Sequence, residues 1–336
     1  MMPSPHAPNN PATTAHAGDY MEGILAAMRA KDFDEGACCG IPECPIAPRE
    51  LPPGTQLHGY FLERVLGAGG FGVTYLAHEE GLQRKVVIKE HFPESLCHRE
   101  AGTHKVRLVD EENRHAYNWA MEGFLREQRL LSSIRHPHIA RVFTGFEAND
   151  TAYYVTEYIE GISLGALAQD YARQGKRITQ AELYGLLVRL LDALDYLHGR
   201  QMLHRDIKPD NILVNGRGLP MLIDFGAAHE RHEADLVQAI ETPGFTPSEQ
   251  VTSCGDVGAW TDIYALGATL YYLLTGTMLA PCRQRELFDP ALPLAQREEL
   301  REHYHPRLLA SIDRAVRPQA KQRYRDAAEW MAALRR

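Results

Sequence analysis

His204-Arg205-Asp206-Ile207-Lys208-Pro209-Asp210-Asn211 is followed, thirteen residues after Asn211, by Asp224-Phe225-Gly226. Together the two stretches supply a carboxylate, an amide and a second carboxylate. Moving a phosphoryl group requires an acceptor for the nucleophile's proton and oxygen ligands for a divalent ion, and Asp206, Asn211 and Asp224 form such a set. Either stretch alone would be a weak signal; their order gives the reading its weight.

Upstream, Gly67-Ala68-Gly69-Gly70-Phe71-Gly72 fits a Gly-x-Gly-x-x-Gly loop, and Val86-Val87-Ile88-Lys89 follows at a distance suited to a hairpin and a third strand. A dinucleotide-binding fingerprint would lead straight into a helix. Here the following run, Val73-Thr74-Tyr75-Leu76-Ala77, is β-branched and aromatic, which favours a strand. With all these motifs in order, the chain resembles the eukaryotic-like (Hanks-type) serine/threonine protein kinases of bacterial type, over roughly residues 56 to 336.

The resemblance implies an α+β, bilobal protein-kinase fold: a small antiparallel β-sheet lobe with one main helix over 56–156, and a larger, mainly helical lobe over 157–336. It implies ATP as phosphoryl donor and Mg²⁺ as the metal. Gly67, Gly69, Gly70, Phe71 and Gly72 would cover the phosphates, since glycines let backbone N–H groups come close without a Cβ in the way. Lys89 would pair with the α- and β-phosphates and be oriented by Glu127. Thr74 and Val87 would border the adenine slot, and Thr156, Glu157 and Tyr158 would form the gatekeeper and hinge. Asp206 would take the substrate proton, Lys208 would neutralise the phosphoryl group, and Asn211 and Asp224 would hold the metal.

Some matching positions are expected to be structural. His204 and Phe225 would join Leu131 in a hydrophobic spine anchored through Asp262, a buried carboxylate satisfied by catalytic-loop backbone donors. Glu249 and Arg323 would form a bidentate ion pair, and Thr242 would bond Asp206 and Lys208.

Composition sets limits of its own. A chain of 336 residues, 44% hydrophobic and 24% charged, has room for two cores. A net charge of −8 argues against nucleic-acid binding, since a phosphate-tracking surface shows a basic excess. The first twenty residues lack an apolar signal region, and six cysteines without an export signal favour reduced thiols, so a cytoplasmic location is expected. The apolar stretch from Ile263 to Ala280 contains Gly267, Thr269, Thr275, Gly276 and Thr277, so it reads as a buried helix rather than a membrane span. Cys38, Cys39 and Cys44 cluster without a further ligand pair at zinc-finger spacing, which favours ordinary thiols.

Residues 1–55 are proline-rich and read as a largely disordered tail, with one short stretch over 20–33 whose apolar residues approximate a helical stripe. Helical periodicity is expected over Tyr117 to Ser133 and Gln180 to Arg200. Between Lys89 and the first of these helices, residues 90–113 form a longer connection than the family usually needs and are expected to be an inserted loop. The tail or this insert would be the place for a regulatory partner.

Three positions depart from the usual motifs: Thr74, Val87, and Pro247-Ser248-Glu249 in place of Ala-Pro-Glu. None removes a catalytic group. No Ser, Thr or Tyr lies between Ala227 and Glu241, so phosphorylation cannot switch the centre of this segment. Glu230, Glu233, Asp235 or Glu241 would instead act as permanent anions toward Arg205. The expected function is therefore phosphoryl transfer to protein Ser/Thr hydroxyls, with autophosphorylation, in bacterial signal transduction. A pseudokinase-like scaffold would be favoured by loss of Lys89, Asp206, Asn211 or Asp224, and all four are present. A small-molecule kinase fits less well, because Thr242 to Glu249 resembles a peptide platform.

Overall fold

Alternation along Gly72–Glu79 and Arg84–His91 shapes the front of the protein: Val73, Tyr75, Val86 and Ile88 are almost wholly buried, while Thr74, Val87 and Lys89 are half-buried on the opposite face. A computed structural model describes residues 48–225, 229–230, 242–252 and 256–335. The expected tail helix over 20–33, the three clustered cysteines, and Glu233, Asp235 and Glu241 lie outside the described residues. The chain divides into two units: the described residues up to Arg126 with Gly145–Val155, and Glu127–Thr144 with Thr156 onward.

The first unit is built on strands β1 (Gln56–Leu57), β2 (Tyr60–Gly69), β3 (Gly72–Glu79) and β4 (Arg84–His91). Two short strands, β5 (Cys97–Arg99) and β6 (Val106–Leu108), pair only with each other, and helix α1 (Arg114–Ser132) precedes β7 (Val142–Ala148) and β8 (Thr151–Glu157). The main sheet has the order β1-β2-β3-β4-β8-β7. Register pairs Thr74 with Lys89 and Leu76 with Val87, which sets these four side chains on one face. Helix α1 starts three residues before the periodicity predicts, because a 3₁₀ turn over Glu111–Asn113, capped by the Asp110 carboxylate, runs into it.

The inserted loop expected over residues 90–113 contains regular structure. It forms the β5–β6 hairpin, and Arg99 on it is buried against Glu90 at the end of β4. Residues 48–55, assigned to the tail by their prolines, pack into this unit: Leu51 is buried, and its N–H donates to the Tyr75 hydroxyl at 3.0 Å.

The second unit is mainly helical, as expected. Strand β9 (Gly161–Ser163) leads into α2 (Leu164–Arg173) and α3 (Gln180–His198), which buries eight residues including Leu183, Leu187, Leu190 and Leu194. A reciprocal cap starts α3: Glu182 N–H donates to the Thr179 hydroxyl, and Thr179 N–H donates to the Glu182 carboxylate. Strands β10 (Met202–Leu203), β11 (Ile212–Asn215), β12 (Pro220–Leu222) and β13 (His229–Glu230) form two small sheets, β10-β13 and β12-β11-β9.

Helix α4 (Ala259–Thr275) takes up the apolar stretch expected over Ile263 to Ala280 only as far as Thr275: Gly276 ends it with a φ of +67°, and 277–280 lie outside the helix. The remaining helices are α5 (Cys282–Leu287), α6 (Glu298–Arg301), α7 (Pro306–Ala315) and α8 (Ala327–Leu334). Gly267 lets α4 approach α7, since a Cβ there would lie 2.8 Å from the Ala315 Cβ. Among the described residues no helix is long and apolar enough to cross a membrane.

Candidate active site

In the second unit the catalytic-loop residues form one hydrogen-bonded group around Asp206. Lys208 Nζ donates to both Asp206 carboxylate oxygens, at 2.8 and 3.1 Å. Asn211 Nδ2 donates to the Asp206 carbonyl and to its Oδ2, both at 2.8 Å. The Thr242 hydroxyl donates to Oδ1 at 3.2 Å, although 36 residues separate the two in sequence. The carboxylate is thus held from three sides, with Lys208 and Thr242 both on Oδ1, as a base that must meet a hydroxyl in one orientation requires.

The backbone beneath is anchored by Asp262. Its carboxylate accepts from His204 N–H at 3.0 Å, Arg205 N–H at 2.9 Å and His198 Nε2 at 2.9 Å. Burial alone would push this carboxyl up, but the hydrogen bond and charge of His198, with His204 and Arg205, hold it below the usual carboxylate range. The sequence reading found the backbone donors and missed His198, the last residue of α3, which lies six residues before the motif.

Arg205 adopts a φ of +65° and Asp224 one of +61°, in the left-handed region that side chains rarely occupy. Arg205 is fixed from both sides, its N–H on Asp262 and its carbonyl accepting from Gln250 Nε2 at 2.8 Å. Gln250 was not singled out in the sequence. The His204 and Phe225 rings meet at 4.6 Å, Leu131 is buried, and burial pushes the His204 imidazole below its ordinary value; its Nε2 lies 3.2 Å from the Ile223 carbonyl and its Nδ1 accepts from Asp206 N–H at 3.3 Å, which fits a structural place. Arg323 pairs with Glu249 at 2.6 and 3.2 Å, the two-point contact the sequence implied. Glu127 is buried on α1; Thr156 and Glu157 end β8, where the Glu157 carboxylate accepts from Arg141 N–H at 3.2 Å, and Tyr158 follows.

In the first unit Lys89 lies on β4, with Nζ 5.7 Å from the Tyr154 ring centre. The glycine-rich stretch runs from the end of β2 (Gly67, Gly69) through a turn at Gly70 and Phe71 to the first residue of β3, Gly72. Gly72 has a packing reason to be glycine, because a Cβ there would run into the Glu90 carbonyl. Gly67, Gly69 and Gly70 have none: a Cβ on each would meet no atom within 4 Å, and none has a positive φ. Nothing in the described packing demands three glycines, so the room they leave suits an external group brought close to the backbone.

The donor set also fits a hard cation. Asp224 and Asn211 supply one carboxylate and one amide oxygen, and Mg²⁺ takes one or two carboxylates, completing its shell with water and phosphate oxygens.

Comparison with known proteins agrees with this geometry. Residues 60–292 match the family model described as protein kinase domain. The chain is 32% identical to the serine/threonine-protein kinase PknA of a Nostoc species, over 82% of this chain and 46% of that protein. It is also 32% identical to serine/threonine-protein kinase C of a Synechocystis species, over 80% and 48% respectively. It therefore spans about half the length of these curated relatives. Among solved structures it resembles the apo form of PpkA-294, with a TM-score of 0.73 and 34% identity over 85% of this chain and 99% of that one. The PknI kinase domain of Mycobacterium tuberculosis aligns with a TM-score of 0.59 and 26% identity, over 85% and 98%. The chain belongs to the protein kinase domain family, among its bacterial, Hanks-type serine/threonine members.

Proposed function

We propose that the protein transfers the γ-phosphoryl group of ATP to Ser or Thr hydroxyls of protein substrates, itself included, in bacterial signalling. The observation that carries this reading is the Asp206 carboxylate held by Lys208, Asn211 and Thr242. Asp206 accepts the proton of the attacking hydroxyl, and Thr242 helps to seat that hydroxyl beside it. Lys208 offsets the charge on the phosphoryl group in flight. Asn211 and Asp224 hold Mg²⁺, which when bound screens the charge that develops on the phosphate oxygens.

Lys89 grips the α- and β-phosphates, while backbone N–H groups of the glycine-rich stretch Gly67–Gly72 cover them and Phe71 caps the tip. Thr74 and Val87 border the adenine, with Thr156, Glu157 and Tyr158 at the hinge. Val87 brings more bulk than alanine would, so it narrows this slot. The relatives' names, the net charge of −8 and the absence of a membrane-spanning helix among the described residues support a cytoplasmic enzyme acting on proteins rather than nucleic acids. The tail and the 90–113 insert are the segments for a regulatory partner.

Incubation of the full chain with labelled ATP and Mg²⁺, followed by mapping of modified residues, tests the reading. Phosphate on Ser and Thr supports it; ATP binding with no transfer to any protein would make the chain a scaffold instead.

A further inference from the structure

All four carbonyls of the stretch Gly69 to Gly72 accept from segments that flank the strands. Arg49 Nη2 donates to the Gly72 carbonyl at 2.9 Å and also to the Gly69 carbonyl. Glu94 N–H donates to the Gly70 carbonyl at 3.1 Å, and Phe92 N–H to the Phe71 carbonyl at 3.0 Å.

Arg49 is itself held in place. Its Nη1 lies 2.6 Å from the Glu94 carboxylate, its guanidinium lies over the Phe92 ring at 5.6 Å, and its carbonyl accepts from Arg99 Nε at 2.8 Å. Two residues on, buried Leu51 is tied to Tyr75. The insert thus supplies Glu94, Phe92 and Arg99 to hold Arg49, and Arg49 spans the turn.

A peptide plane carries its C=O and the following N–H in opposite directions. Drawing the carbonyls of Gly69 and Gly70 toward the strap therefore aims the N–H groups of Gly70 and Phe71, the two residues between β2 and β3, away from it. We propose that Arg49 is a positioning residue for nucleotide binding: with the 90–113 insert it fixes the glycine-rich turn in advance, so that its N–H groups are already arrayed for phosphate oxygens. This rests on the reading of the turn as a phosphate cover. An unclamped turn of this composition would lose freedom on binding, and removing that cost in advance raises affinity without touching the reacting atoms. Arg49 acts through the backbone of the turn, so its signature is affinity for ATP rather than the rate of the chemical step.

The test uses the full chain and three variants: Arg49→Ala, Arg49→Lys, and Arg84→Ala as a control in the same unit, paired with Glu79 at the end of the β3–β4 hairpin opposite to the Gly72–His91 pair. Titration with ATP and Mg²⁺ gives Kd, steady-state assay gives KM and kcat, and a thermal melt without nucleotide reports folding. Arg49→Ala should raise Kd and KM for ATP by about tenfold with kcat within about twofold, the pattern of lost preorganisation.

Arg49→Lys keeps the charge and stem but lacks the fork that spans two carbonyls, so it should fall between Arg49→Ala and wild type. If Arg49→Ala loses its fold, Arg49→Lys carries the test. Arg84→Ala should match wild type. Wild-type Kd and KM in the folded Arg49 variants, or an equal loss in Arg84→Ala, would overturn the proposal while leaving the nucleotide reading intact. A wild-type chain that binds no ATP would instead remove the reading on which it rests.

Discussion

Arg99 on the β5–β6 hairpin places Nη2 2.7 Å from Oε2 of Glu90 at the end of β4, and both side chains are almost wholly buried. Tyr75 and Tyr153 hydroxyls complete the site, donating to the two Glu90 oxygens at 2.7 and 2.6 Å. Burial and the Glu90 charge both push the Tyr75 and Tyr153 phenols far up, so they remain neutral donors. The residue next to Lys89 in sequence thus points to the opposite face and pins the insert to the sheet.

Breaking a buried pair by removing one partner costs about 3–5 kcal/mol, because the other charge is stranded. Arg99→Met should lower the urea midpoint accordingly. Glu90→Gln combined with Arg99→Met should recover much of the loss, since the tyrosines can still bond the amide. Single and double variants of equal stability to wild type would show that the pair does not hold the insert.

The glycine turn separates folding from binding. With open space around a Cβ at Gly69 and no positive φ, Gly69→Ala should leave the thermal midpoint unchanged or slightly raised. One added carbon against a bound group is worth roughly tenfold or more, so KM for ATP should rise by at least that. A stable variant with unchanged KM would mean that the space is not used by the nucleotide.

His91 gives the first unit an acid sensitivity. Buried beside Tyr117 and Phe124, its imidazole is pushed down to about 4 from an ordinary value of 6.5. Since the folded value is the lower one, the unfolded chain takes up the proton first as pH falls. The neutral ring's contribution is therefore intact above about pH 6.5 and is lost progressively toward about pH 4, by about 3 kcal/mol in all. Urea midpoints at pH 7 and pH 5 should diverge in the wild type and converge in His91→Leu. An equal pH slope in both would exclude His91 as the source.

What could be read from the sequence follows from how local each contact is. Asp206, Lys208 and Asn211 lie within six residues, so a motif found their grouping, and the leucine period over 183–197 found α3. Arg99 and Glu90 face each other only because the chain turns between them, over residues 94–96, and nothing in the spacing of an Arg and a Glu announces that. Arg49 lies among prolines whose composition suggested a tail, yet Leu51 two residues later is buried. His198 and Gln250 hold the catalytic loop from outside the motif, through contacts set by tertiary packing.

The segment after Asp224-Phe225-Gly226 predicts its own behaviour. With no Ser, Thr or Tyr between Ala227 and Glu241, enzyme treated with phosphatase and freed of it should show the same initial rate as untreated enzyme. A large fall in rate, regained after incubation with ATP, would locate an activating phosphate elsewhere in the chain.

The central claim is that Asp206 is the base of a phosphoryl transfer to protein hydroxyls. The most direct measurement compares the wild type with Asp206→Asn in a labelled-ATP assay, with ATP titration of both. The account predicts similar ATP binding, phosphate on Ser or Thr with the wild type, and a rate lower by roughly 10²–10⁴ in the variant. Transfer by Asp206→Asn at close to the wild-type rate would contradict it.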